Sequence, residues 1–264
     1  MRLFMSRLKV IIKKSPTLCL LYHSYFGSQP EMKALKKLHD IKGGDAIDVG
    51  AHNGDFTIYF LRKCKCRHVY AFEPQADLCD YMRKYLRKFT GLQILNMGLS
   101  DSKSHLELRI PINISGAAHP ALATLNAYNG DHKKISVPVD TLDSFEYKNI
   151  GIIKIDVEGH EEKVLAGAIE TIKNNKPIML IEISRHFVVK NSISWEADIP
   201  VDNIIKKIKE MGYKCYCNIN DKLVDVDDIG VQEIQKDELL GTSKYICNFI
   251  FVPAEVNLQK MKRI

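Results

Sequence analysis

Short apolar runs of strand length alternate with amphipathic runs of helix length through most of this chain. That order constrains the fold more than any other feature. "DAIDVG" (45–50), "HVYAFEP" (68–74) and "LQILNMGLS" (92–100) read as strands. "GDFTIYFLRKC" (54–64) and "QADLCDYMRKYLRKF" (75–89) read as helices, the second with Leu78, Met82, Tyr85, Leu86 and Phe89 at helical spacing. A β-α-β-α-β order needs long crossovers, and it gives a parallel sheet with right-handed connections. The rhythm breaks over 101–150. There "HLELRIP" (105–111) and "KISVPVDTL" (134–142) look like short edge strands around a small-residue loop, "INISGAAHPALATLNAYNGDH". It resumes with the strand "IGIIKIDVEG", the helix "HEEKVLAGAIETIKNN", the strand "KPIMLIEIS" and the helix "VDNIIKKIKEMG". "YKCYCNI" and "KYICNFIFVP" are the last strands, and the acidic stretch 220–243 between them reads as a connection. The fold class is α/β. We expect a helical extension over 1–40 and one domain over 41–264, since no segment has the composition of a linker.

The chain has 264 residues, of which 45% are hydrophobic and 27% charged. That is ordinary globular composition, and the length can bury a core without disulfides. Seven cysteines are an odd number. Basic residues interrupt every N-terminal apolar run, so no secretory leader is legible, and we expect free thiols in a reducing, cytoplasmic setting. "CKC" (Cys64, Cys66) and "CYC" (Cys215, Cys217) are spaced more tightly than the C-x₂-C of structural zinc sites, and read better as buried thiols.

The net charge of +6 is concentrated. Residues 1–40 carry eight Lys and Arg against Glu31 and Asp40, which leaves the body neutral. No basic stripe with aromatics runs through that body, so nucleic acid is not an expected partner. "RLFMSRLKVIIKK" reads as an amphipathic basic helix that packs on the domain, with peripheral membrane contact as the alternative. No apolar run approaches the ~20 residues of a spanning helix. Nothing in the sequence specifies an oligomer.

Two motifs point to a ligand. In "AIDVGAHNGDF" (46–56) a strand ends at Asp48, and Gly50 and Gly54 punctuate the turn into a helix. Such a turn lets backbone approach a ligand and offers free N–H groups. It is not the dinucleotide fingerprint, and Asp48 would repel a phosphate, so the loop suits a ligand with positive charge. Glu73, in "YAFEP", closes the next strand, where an acid accepts hydrogen bonds from ribose hydroxyls. Together the two motifs describe an adenosine-bearing cation such as S-adenosylmethionine.

The pieces "AIDVGAHNG", "AFEP", "ILNMGLSD", "TLDSF", "IKIDVEGHE" and "FIFVP", in that order, resemble the FkbM family of S-adenosylmethionine-dependent methyltransferases over roughly residues 43–253. The resemblance implies a Rossmann-like class I methyltransferase fold. Its sheet is seven-stranded and mostly parallel, the last strand antiparallel, with helices on both faces. It implies methyl transfer to a hydroxyl of a sugar, glycoconjugate or secondary metabolite. By position, Asp48, Gly50, Ala51, Asn53 and Gly54 match the cofactor loop and Glu73 the ribose ligand, and Asn96 falls near the adenine border. Residues 1–29, 185–200 and 218–244 lie outside the resemblance, and we expect the last two to set acceptor identity.

"IKIDVEGHEEKVL" (152–164) delivers Asp156, Glu158, His160, Glu161 and Glu162 within seven positions. Period-two alternation puts Lys154, Asp156 and Glu158 on one side of the strand. Ligands of open α/β sheets sit beyond the carboxyl ends of strands, so Asp156 and Glu158 belong near the cofactor crevice. Methyl transfer needs an aligned acceptor oxygen and a group that takes its proton. Asp156, with Glu158 and His160, is the candidate catalytic set. Glu161 and Glu162 are first-turn acids, assigned to the helix dipole. Buried Lys154 requires a carboxylate partner or loses its charge. Glu182, at the tip of the neighbouring strand, and His186 just beyond it are candidate acceptor contacts. Asp156 with Glu182 reads as a metal-free pair, with Mg²⁺ as the lesser alternative. Two other functions remain in view: methylation at nitrogen on a protein or small amine, and an inactive fold serving as a binding subunit.

Overall fold

The structure, a computed structural model, describes residues 30–258 apart from 113–115, 117, 129, 185, 190–191, 197–200, 240–241 and 243. The side chains of residues 30, 186–189, 192–196 and 237 are also outside the description. The basic N-terminal segment therefore lies outside the described residues.

Helix α1 (Pro30–Lys42) leads into β1 (Asp45–Val49). Then follow α2 (Asp55–Tyr59), which continues through a π turn at Phe60–Cys64, β2 (Val69–Phe72), α3 (Ala76–Leu86) and β3 (Leu92–Leu95). β4 (Gly98–Leu99), β5 (Ser104–Pro111) and β6 (His132–Asp140) precede β7 (Ile150–Ile155). The chain goes on through α4 (Glu161–Ala166), α5 (Ile169–Asn175), β8 (Ile178–Glu182), and the strands β9 (His186–Val189) and β10 (Ser192–Glu196). It ends with α6 (Val201–Glu210), β11 (Tyr213–Ile219), β12 (Lys222–Asp225), α7 (Val226–Ile229), α8 (Val231–Ile234) and β13 (Asn248–Pro253).

The main sheet has the order β12-β11-β13-β8-β7-β1-β2-β3. β3, β2, β1, β7 and β8 run parallel, and β13 inserts antiparallel between β8 and β11. This is the expected sheet with its antiparallel last strand, but the count is eight rather than seven. The extra strand, β12, comes from the stretch read as an acidic connection. Asn220 and Asp221 both take positive φ (51° and 61°), the geometry of a two-residue hairpin turn, and β12 pairs back on β11.

Other differences have local causes. The strand expected over 92–100 divides at Asn96, and Gly98–Leu99 leaves the main sheet to pair with β6. β4, β6 and β5 thereby make a small sheet of their own. The helix expected after His160 divides at Gly167, where a Cβ would lie 2.0 Å from the carbonyl oxygen of Ser100.

Alternation along the strands sorts the core. One face packs Ile153, Ile155, Met179 and Phe249 under α4, α5 and α6. The other packs Ile152, Leu180 and Ile250 under α1 and α2, with Met32, Leu35 and Leu38 of α1 buried. Full burial of a leucine contributes about 1.5–3 kcal/mol, so α1 is held firmly to the sheet. Among the described residues no helix is long and apolar enough to cross a membrane. Cys64, Cys66, Cys215 and Cys217 are free and buried. Burial pushes the Cys64 and Cys66 thiols up to about 12.

β7 approaches the entry to β1 so closely that a Cβ at Gly151 would lie 1.6 Å from the carbonyl oxygen of Gly43. Gly151→Ala should therefore destabilise the protein by at least the ~1–3 kcal/mol typical of overpacking. A lower midpoint in urea denaturation, at unchanged slope, is the expected result.

Candidate active site

A cleft of about 990 Å³, open to solvent, lies beyond the carboxyl ends of β1, β2 and β7. Its floor is the turn after β1. Gly50 has φ +73°, and a Cβ there would lie 1.9 Å from the carbonyl oxygen of Asp156. The glycine thus lets two strand exits cross at close range. Gly54 has φ +85° and faces Met82 and Leu86, so its role is to seat α2 against α3. Gly50, Ala51 and Asn53 line the cleft as expected, joined by His52.

Asp48 and Lys154 form the centre beneath that floor. Asp48 is fully buried. Its Oδ2 accepts a hydrogen bond from Thr57 Oγ1 at 2.6 Å, and Oδ1 lies 3.8 Å from Lys154 Nζ. Lys154 is buried too, with Nζ 3.0 Å from Asp156 Oδ2, donating to the carbonyl oxygen of Gly50 at 3.1 Å, and over the Phe56 ring. Burial alone would lower the lysine's pKa, but Asp156 and Asp48 outweigh it and raise it, so Lys154 keeps its charge. Asp48, expected at the ligand, is not among the lining residues: it is buried, with Oδ2 bonded to Thr57 and Oδ1 facing Lys154 at ion-pair distance without a hydrogen bond.

Glu73, the first residue after β2, does line the cleft. Oε2 accepts from the His52 backbone N–H at 2.8 Å and Oε1 from that of Gln75 at 2.9 Å. Burial raises its pKa to about 7 against those hydrogen bonds. A carboxylate has about four lone-pair sites, so two remain for hydroxyl donors in the cleft. Asn96 is placed differently from the expectation. It is exposed and outside the cleft, and its amide donates to the carbonyl oxygens of Glu73 and Pro74 at 3.1 and 3.0 Å. It holds the turn that presents Glu73.

On the opposite bank, Asp156 follows β7 directly, its side chain 29% exposed. Alternation stops there, because Glu158 and Gly159 take positive φ (52° and 95°). Asp156, Val157 and Glu158 consequently all face the cleft. Burial, with Asp156 and Glu182 adding repulsion, raises the Glu158 pKa well above the carboxylate range. Glu161 does more than meet the helix dipole. Its buried carboxylate turns back and accepts the Gly159 N–H at 3.0 Å, which fixes the turn. Glu162 pairs with Lys207 on the surface. His160 is a correction. It is buried and does not line the cleft, and its Nε2 lies 3.0 Å from Ser100 Oγ. Burial, helped by Lys163, lowers its pKa to about 4, so it is a neutral packing group.

Glu182 ends β8 beside Asp156, as expected, but outside this cleft. Burial first, then Asp156, raises its pKa to about 7. His186 opens β9, and its side chain is outside the described part of the structure.

The remaining wall comes from the segment read as a polar loop. Leu108 of β5 and Pro120, Ala121, Ala123 and Leu125 close the cleft with an apolar surface. This segment is fastened to both banks. Gln75 Nε2 donates to the carbonyl oxygen of Pro120 at 2.9 Å. Thr124 Oγ1 donates to that of Glu158, and Asn126 Nδ2 to that of Gly159, both at 2.7 Å. The sequence signal that could have found it is "PALATL", too apolar for a solvated loop.

The cleft fits an adenosine-bearing cation: an apolar wall, a buried carboxylate with two open acceptor sites, and an acidic far bank. Removing the central ammonium should show how much rests on it. Lys154→Met leaves Asp48 buried and unpaired, which typically costs about 3–5 kcal/mol. Chemical denaturation should show that loss, and adding Asp48→Asn should recover part of it.

A family model described as the Methyltransferase FkbM domain matches residues 48–215. Over 154 residues the chain is 27% identical to the hexuronic acid methyltransferase AglP of Haloferax volcanii, covering 56% of this chain and 59% of that protein. Over 141 residues it is 28% identical to Methyltransferase 1 of Beauveria bassiana, covering 46% and 57%. The chain thus spans under two thirds of the length of either relative. Among solved structures, the FkbM methyltransferase of Methylobacillus flagellatus is 19% identical with a TM-score of 0.39, over 53% of this chain and 33% of that one. The family match covers well over half of the chain and includes both banks of the cleft: this chain belongs to the FkbM methyltransferase domain family.

Proposed function

We propose that the protein transfers a methyl group from S-adenosylmethionine to a hydroxyl oxygen of a sugar or glycoconjugate. The observation that carries this reading is one cleft with Glu73 on one bank and Asp156 on the other. The Haloferax relative, a hexuronic acid methyltransferase, supports a sugar acceptor.

When bound, S-adenosylmethionine supplies a sulfonium methyl group for attack by an oxygen. Glu73 would accept hydrogen bonds from the two ribose hydroxyls on its remaining lone pairs. Leu108 and the 120–125 segment cover apolar surface and exclude water. Asp156 receives the acceptor's hydroxyl hydrogen bond and takes that proton as the oxygen becomes a nucleophile. Its carboxylate is held in place by the Lys154 ammonium. Glu158, whose pKa is raised by burial and by the neighbouring acids, lies beside Asp156 in the cleft as a further hydrogen-bonding contact for the acceptor. The reading is metal-free. In it the Lys154 ammonium beside Asp156 supplies the positive charge on the acceptor side.

A screen with methyl-labelled cofactor against hydroxyl-bearing glycans should give labelled methyl ether, unchanged by EDTA. Asp156→Asn should leave S-adenosylhomocysteine affinity within about twofold and lower turnover by the ~10²–10⁴-fold of a lost general base. Retained turnover would remove Asp156 from the base role.

Cofactor affinity should also depend on pH with a defined sign. Glu73 accepts hydrogen bonds from hydroxyls as a carboxylate, so binding favours its ionised form and releases a proton below its pKa. Affinity for S-adenosylhomocysteine should rise as pH increases toward about 7 and level above it. Calorimetry across that range checks this, and Glu73→Gln should flatten the profile and weaken binding.

A further inference from the structure

The polar row that begins at Lys154 and Asp156 continues across the sheet. Ile155 pairs with Ile181, so Asp156 and Glu182 follow on neighbouring strands. Glu182 pairs with Asn248 of β13. Phe249 pairs with Cys217 of β11, which brings Asn218 beside Asn248. Lys154, Leu180, Ile250 and Tyr216 share the sheet face that packs against α1 and α2. Period two then sets Asp156, Glu182, Asn248 and Asn218 on that same face, at the carboxyl edge of the parallel strands.

A second pocket, of about 840 Å³, opens over the far end of this row. It is lined by Glu31 of α1, by Asn218, Asn220 and Asp221 around the β11–β12 hairpin, and by Tyr245 and Asn248 at the entry to β13. Glu182 lines neither pocket, but in the pairing order it lies between Asp156 of the first and Asn248 of the second. Cys247, which lines the second, reaches its Oε1 at 3.5 Å, and Glu182 feels the charges of both Asp156 and Glu31.

We propose that this second pocket holds the part of the acceptor that is not methylated, and that it takes a neutral polyhydroxyl unit such as a hexose. The inference rests on the methyl-transfer reading of the cleft. Its chemistry is that of the lining. Amide side chains donate to and accept from hydroxyls, carboxylates accept two hydroxyl hydrogen bonds side by side, and a tyrosine offers a ring face and a hydroxyl. Glu31 and Asp221 repel an anion, so a uronic acid is disfavoured. Among the described lining residues there is no cation to offset that repulsion, and Lys33, outside the lining, approaches Asp221 at 3.6 Å.

The test uses the full chain, labelled S-adenosylmethionine, and two sets of disaccharide methyl glycosides that share the same methyl-accepting hexose: one set carries glucose, galactose, mannose or rhamnose as its second unit, the other glucuronic or galacturonic acid. S-adenosylhomocysteine calorimetry is the control. A neutral glycoside should be methylated with kcat/KM at least about tenfold above any uronoside, the usual scale for an unpaired charge at a site. Asn248→Ala and Glu31→Gln should each raise that acceptor's KM about fivefold, as loss of one hydrogen bond implies, with kcat and S-adenosylhomocysteine affinity changed under about twofold. Preference for a uronoside, unchanged KM in both variants, or cofactor binding without methylation of either set would overturn the inference. Failure to bind S-adenosylhomocysteine would instead overturn the proposed function.

Discussion

A single ammonium group organises the carboxyl edge of this sheet. Lys154 projects from a strand that is otherwise isoleucine and glycine, into a place where an unpaired charge is prohibitively costly. It persists because Asp48 and Asp156 flank it and the Gly50 carbonyl accepts a hydrogen bond from it. Those contacts tie together the exits of β1 and β7, the two strands whose turns make the floor and the far bank of the cleft. Asp48 contributes by holding Lys154 and Thr57, and Asp156 is left with one side toward the cleft.

The electrostatic character of the site follows from arithmetic around that lysine. Asp48, Asp156, Glu158 and Glu182 all act on one another or on Lys154, and one cation cannot balance four acids. Burial and the neighbouring acids raise the Glu158, Glu182 and Asp48 pKa values, while Asp156 takes the nearest contact with the ammonium. Acyl or phosphoryl chemistry would call for a cluster of positive donors; an edge of this sign suits a ligand that brings its own positive charge.

Much of this was legible in the chain because periodicity and turn chemistry are local. The parallel strands, the helices between them, the glycine turn after β1 and the acids at the tips of β2, β7 and β8 all announce themselves within a few residues. What was not legible depends on which distant segment arrives. Nothing near Asp48 says that Lys154, more than a hundred positions away, will bury against it. His160 looks like a cleft residue until Ser100 turns out to face it. Asn96 lies on the right side of the sheet but bonds to backbone. The apolar wall of 120–125 was hidden because small residues and proline read as solvent-facing loop. The extra strand β12 was hidden because "ND" is a weaker hairpin signal than a glycine-containing pair.

The segment from Pro120 to Asn126 has a consequence for traffic through the cleft. It is anchored to Gln75 on one bank and to Glu158 and Gly159 on the other, so it spans the site like a bridge with both abutments in hydrogen bonds. A molecule seated beneath such a span keeps only the open mouth as its exit, unless the bridge lifts. Lifting it breaks contacts to the same turn that carries Glu158. Along that second route, release of a ligand and opening of the turn that carries Glu158 are a single event, gated by a few side-chain-to-carbonyl contacts that must open together.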